Sequence, residues 1–308
     1  FIYMAIRRGG MQTPTAASSV FNVASYSSNS NSNIFNTGFD VDMNITTRTS
    51  GTNNYNLARL TGSKYLWTDG TNAEADVGDT PLWDGASNSI DLSTSFWGTT
   101  SDTVSWSWKR ARGYFDVVCY TGSGNNSTRV VDHNLAVKPE MVWIKRRSGD
   151  IAQWFVTTES LGADNYLNLE ESGTGSTSTN MGAHTATQFS ARGQDTDGAP
   201  FIAYLFATCS GVSKVGSFTQ SGATNVACGF TGNTPSLVIL KRTDASGDWL
   251  TFDSVRGIVA GNDKSLDLNN TDAEVTNADV VDPYSGGFAT TSSLTDGDYI
   301  FYAIAAIS

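Results

Sequence analysis

The sequence predicts an all-β chain made of tandem β-sandwich or jelly-roll-like repeats of about 100 residues. Three observations carry this. Val, Ile, Thr, Tyr, Phe and Trp recur in short runs bounded by Gly, Asn, Asp and Ser, while long Ala/Leu/Glu/Lys stretches are absent. Charged residues make up 16% and aromatic residues 11%, which describes a packed chain and not a disordered one. Four segments also read alike. They are Ile2-Tyr3-Met4-Ala5-Ile6, Val104-Ser105-Trp106-Ser107-Trp108, Ile202-Ala203-Tyr204-Leu205-Phe206 and Ile300-Phe301-Tyr302-Ala303-Ile304. They begin at residues 2, 104, 202 and 300, a step of 102 and then 98 twice. A period of that size signals whole domains in series and not a solenoid of short units.

Other elements line up within the period. A first strand ends near Tyr26, Tyr120 or Phe218 and runs into a polar turn. The next strand is Met43-Asn44-Ile45-Thr46-Thr47-Arg48, Met141-Val142-Trp143-Ile144-Lys145-Arg146 or Leu237-Val238-Ile239-Leu240-Lys241-Arg242. Tyr55, Trp154 and Trp249 are read as one repeated core aromatic, and Trp67, Asn168 and Asp267 as another shared position. The repeats are assigned to 14–112, 113–212 and 213–308, with residues 1–13 as the closing strand of an upstream repeat. The linkers Ala111-Arg112-Gly113 and Cys209-Ser210-Gly211-Val212-Ser213 are short, so neighbouring units are expected to pack rigidly, as a short rod or a compact cluster.

Charge and cysteine content narrow the function. A net charge of −11 speaks against nucleic acid, since the basic pairs Arg7-Arg8, Lys109-Arg110, Lys145-Arg146 and Lys241-Arg242 form no stripe and read as strand-end charges. No run approaches the ~18 apolar residues of a membrane helix, so no membrane insertion is expected. Cys119, Cys209 and Cys228 have no framework spacing; burial is the expected role, with a Cys119–Cys228 bridge as the alternative.

No catalytic, cofactor or zinc motif is present. His133 and His184 read as solvated loop residues. The loops Asp69-Gly70 to Asp79, Asp195-Thr196-Asp197-Gly198 and Asp263 to Asp282 offer oxygen ligands; turn carboxylates are the expected reading and a structural calcium ion the alternative. Glu170-Glu171 would point to opposite faces of a strand, against a glycosidase pair. Aromatics are the better lead. Trp67 has polar counterparts, and Trp83 and Trp97 lie in Gly/Ser/Asn-rich loops without counterparts. All three are candidate surface contacts for a glycan or a protein partner.

The strings Tyr114-Phe115-Asp116-Val117-Val118-Cys119-Tyr120-Thr121-Gly122, Pro139-Glu140-Met141-Val142-Trp143-Ile144-Lys145 and Leu266-Asp267-Leu268-Asn269-Asn270-Thr271-Asp272-Ala273-Glu274 resemble repeat modules of large tail-fibre-like proteins of marine and environmental bacteriophages. The resemblance is strongest over 113–308. It implies a non-enzymatic virion protein, a tail fibre or spike-like appendage assembled in the host cytoplasm and carried on the particle surface. Its implied partners are other virion proteins, further copies in a trimer, and a host-surface glycan or protein. The alternatives are a capsid-attached decoration, a glycan-binding or glycan-degrading module, and a bacterial adhesin or filament unit.

Overall fold

The computed structural model describes residues 10–26, 34–78, 83–84, 88–91, 102–125, 129–149, 152–178, 181–192, 194–232 and 234–307. Residues 2–6, the first of the four matching segments, and Trp97 lie outside them. The described residues form antiparallel strands and three short 3₁₀ turns, with no α-helix.

Three main sheets share one strand order. In each, a closing strand lies between an opening strand and a third strand that continues into a hairpin. The closing strands are Thr103–Trp108, Pro200–Phe206 and Gly297–Ile304. The opening strands are Phe21–Tyr26, Phe115–Thr121 and Ser213–Gln220. The third strands are Met43–Arg48, Met141–Arg146 and Leu237–Arg242. The register repeats too: Trp108 faces Phe21 and Met43, Phe206 faces Phe115 and Met141, and Ile304 faces Ser213 and Leu237. A strand paired on both edges and covered on both faces has no polar side to show, and the second and third closing strands accordingly lack clean alternation. In the first, Ser105 and Ser107 do alternate with the tryptophans, and their buried hydroxyls accept from Asn44 Nδ2.

The outward face of each main sheet carries a small second sheet. Ile34–Asn36, Ser89–Asp91 and Trp83–Asp84 serve the first, Val130–Asp132 and Gln188–Ser190 the second, and Thr224–Ala227, Gly287–Thr290 and Val281–Tyr284 the third. The inward faces meet each other. One continuous core contains Trp106 and Trp108 of the first sheet, Tyr204 and Phe206 of the second, and Tyr302 and Ile304 of the third. Phe206 packs on Tyr302 at 5.0 Å and Trp143 on Trp249 at 6.4 Å, both across the second and third sheets. Of rod and cluster, the three sheets form the cluster, since their inward faces are apolar and can be covered only by one another.

The register also revises one equivalence. Met43 pairs with Ala58, Met141 with Thr158 and Leu237 with Asp253. Four residues back from these partners stand Asn54, Trp154 and Trp249. Asn54, and not Tyr55, therefore shares the tryptophan position. Tyr55 corresponds to Phe155, and both rings turn outward onto an equivalent tyrosine, Tyr65 at 5.4 Å and Tyr166 at 4.8 Å.

All three cysteines are free, Cys209 and Cys228 buried and Cys119 half-buried, so the alternative of a Cys119–Cys228 bridge is excluded. No helix among the described residues is long and apolar enough to cross a membrane.

Candidate functional site

The three sheets meet at three seams, and the same main-chain carbonyl is used at each. Trp154 Nε1 donates to Trp67 O (2.7 Å), Trp249 Nε1 to Asn168 O (3.1 Å) and Asn54 Nδ2 to Asp267 O (2.9 Å). The second sheet thus grips the first, the third grips the second, and the first grips the third, closing a ring. Main-chain bonds also cross each seam: Glu74 N to Arg147 O, Gly247 N to Ser172 O and Glu274 N to Thr49 O.

Two seams enclose a lysine. Lys145 and Lys241 are fully buried at equivalent strand positions. Lys241 Nζ donates among four carbonyl oxygens: Ser172 (3.0 Å), Gly173 (2.9 Å), Arg242 (3.1 Å) and Gly247 (2.7 Å). Lys145 Nζ donates to Gly70 O (3.2 Å) and to Ala152 O. A buried ammonium is tolerable only with such partners. Burial still pulls the Lys241 ammonium down to about 8. It pulls Lys145 down as well, and pushes the neighbouring Glu170 carboxyl up. At the third seam Thr47 holds the lysine position, and Asn54 adds a second bond, to Asn270 O (2.9 Å). Gly70 and Asn270 are matching positions, so one amide there does the work of an indole and an ammonium.

Trp67 belongs to this architecture. It is half-buried at the margin of the first sheet's outward core, with its ring edge-on to Tyr65 at 4.8 Å. The Asn53 carboxamide, oriented to suit both neighbours, accepts from Trp67 Nε1 (2.9 Å) and donates to Asp69 Oδ2 (3.1 Å). Burial pushes the Asp69 carboxyl up to about 6. Polar counterparts had suggested a solvent-facing ring; instead Asn168 is buried and bonds Trp154 O (3.1 Å). Polarity at this position serves the seam. Tyr55, Tyr65 and Trp67 together form a graded aromatic patch that sequence reasoning did not assemble, because Tyr55 was placed in the core. Trp83 is half-buried elsewhere on the same outward face, its Nε1 on Gly62 O (2.8 Å) and the Arg59 guanidinium 5.2 Å above its ring.

The remaining candidates have local duties. His133 and His184 are not solvated loop residues. His133 is buried, and His184 has both ring nitrogens engaged, by Thr157 Oγ1 (3.0 Å) and Ser190 N (3.1 Å), with burial pulling it down to about 3. Asp195 accepts from Ser123 N, Ser123 Oγ and Asn125 N at 2.8–2.9 Å, clamping a turn. Asp263 does the same for Val259, Val280 and Val281 N. Asp79 lies outside the described residues, among which no group of three or more His, Cys, Asp or Glu side chains is arranged to hold a metal. Glu170 and Glu171 diverge, to Trp154 N (3.0 Å) and Gln153 Nε2 (2.8 Å).

A family model described as a domain of unknown function (DUF7483) matches residues 16–306. No curated protein matches the chain.

Proposed function

The chain belongs to the DUF7483 family over nearly its whole length, and from that starting point we propose that it is a structural protein of a phage particle, a tail-fibre or spike-like appendage that contacts the host surface. The observation that carries the reading is the closed ring of like sheets around one core, stitched through buried tryptophan and lysine donors. Such a body spends its inward surface on rigidity and leaves loops and outer faces for contact. The partners in this reading are other virion proteins, further copies of the chain in a trimer, and a host-surface glycan or protein. Among the described residues the opening strand of each main sheet pairs on one side only, which favours association with neighbours that cover the other.

The test is gold-labelled antibody to the purified chain on intact particles, with mass spectrometry of the same particles. Label on a tail appendage is expected, and absence from particles refutes the proposal. Label on the capsid shell would favour a decoration protein instead. A glycan-binding module is the second reading, favoured by the half-buried patch of Tyr55, Tyr65 and Trp67.

A further inference from the structure

A cleft of about 710 Å³ lies where the first sheet hands the chain to the second. Its size is that of a small-ligand site. Among the described residues three cations line it, Lys109, Arg110 and Arg112, against one carboxylate, Asp42. This is a positive spot on a chain of net charge −11. Arg110 is paired with the buried Asp116, Nε to Oδ1 at 2.5 Å. Among the described residues Lys109 and Arg112 have no carboxylate partner.

The same backbone device occurs three times, and only here does its outgoing stretch carry cations. Lys109 N donates to Val20 O (2.8 Å), as Ala207 N does to Tyr114 O (3.0 Å) and Ala305 N to Val212 O (2.9 Å). Arg110 N donates to Asp42 Oδ2 (2.7 Å), as Thr208 N does to Glu140 Oε2. At the matching places the second sheet has Ala207, Thr208 and Ser210 where the first has Lys109, Arg110 and Arg112. Arg110 is accounted for by the buried Asp116, but the turn itself needs neither Lys109 nor Arg112, and their presence at one copy calls for a separate role.

We propose that this cleft binds an anionic saccharide, one bearing carboxylate or sulfate groups. Guanidinium and ammonium groups held on a clamped backbone suit such anions, and Arg offers them paired donors. The amides of Gln12 and Asn134 line the same cleft and suit sugar hydroxyls. Among the described residues no aromatic side chain lines it, so those residues offer no stacking platform for a nucleobase. The anion follows from the cleft alone. The choice of a saccharide rests on the host-surface reading above.

The test is calorimetric titration of the full chain with a sulfated heparin tetrasaccharide, trigalacturonate, maltotriose and inorganic sulfate. At least one charged oligosaccharide is expected to bind more tightly than inorganic sulfate, with maltotriose silent and the affinity weakened by added salt. The double variant Lys109→Ala/Arg112→Ser copies residues the other turn already carries, and should weaken binding about tenfold or more with an unchanged urea midpoint. If the double variant lowers the midpoint, the exposed Arg112→Ser alone decides. The proposal is overturned by no binding of either charged oligosaccharide at millimolar concentration, by binding that survives the substitutions, or by maltotriose or inorganic sulfate binding equally well. A failure here leaves the particle-labelling result untouched, and absence from particles leaves anion binding untouched.

Discussion

Replacing Lys241 with Met tests the seam chemistry most directly. The substitution keeps an unbranched stem out to Cε and removes an ammonium that donates among four carbonyl oxygens. An ammonium has three protons, and a hydrogen bond to a charged group contributes about 1.5–3 kcal/mol, so the gross loss is about 5–9 kcal/mol. Several kcal/mol return because no ammonium must be dehydrated on folding. The net expectation is a loss of about 2–4 kcal/mol, or roughly 1 M in the urea midpoint for a chain of this size. Tryptophan fluorescence reads it, since Trp249 and Trp143 flank this seam. The pH dependence adds a second check. The folded Lys241 loses its proton near 8, below its ordinary value of 10.5. Between those values the unfolded chain binds more protons, so wild-type stability rises with pH. The deficit of Lys241→Met should therefore widen from about pH 8 to 10. An unchanged or raised midpoint, or a deficit that narrows over that range, would refute the argument that the caged amine is worth more to the fold than an apolar stem in its place.

Other expectations follow from the same geometry. Asp69 ionises near 6 in the folded chain against an ordinary 3.8, so its contribution to stability is full below the lower value and falls away as pH rises through the upper. Asp69→Asn should flatten that decline in a pH series of urea midpoints. Trp67→Ala should cost about 1–2 kcal/mol, less than a core tryptophan but not nothing; a silent result would mean that the contact with Tyr65 is worth little. Asn54→Ala removes both bonds to the third sheet, at about 2 kcal/mol, and should raise hydrogen exchange at the Glu274 amide; unchanged exchange would count against the seam. A Cβ on Gly122 would stand 1.9 Å from Thr196 O. Gly122→Ala should therefore lower the thermal midpoint by several degrees, with the loop 194–198 the first region to lose protection; an unchanged midpoint would dispose of the close approach.

The closing strands were readable from sequence because their bulky inward residues, Trp106 and Trp108, Tyr204 and Phe206, Tyr302 and Ile304, recur at a fixed step and meet in one core. The seams were not. Tyr55 looked like the partner of Trp154 and Trp249 because aromatic was matched with aromatic. The position actually selects an N–H aimed at a neighbour's carbonyl, which Asn54 supplies as well as an indole does. The polar residues opposite Trp67 misled for a related reason: Asn168 is polar because it bonds a main-chain carbonyl in a dry place. His133 sits between Asp132 and Asn134, and His184 in a Ser/Thr/Gly-rich stretch, contexts that read as open turns and loops. Their nitrogens instead tie those segments down. The lysines were visible as basic pairs, yet no local pattern separates Lys145 from Arg146. Only the strand's two-residue alternation sends one inward and the other out.

The first and third sheets have no linker between them. Thr68 reaches Leu268 O across 200 residues of sequence, and Asn54 reaches Asn270 O across 216. Bringing such distant stretches together has the steepest entropic cost in the molecule. The two linked contacts can zip early, leaving this one as the final clasp. A truncated or stalled chain would then expose the apolar flank that the clasp normally hides.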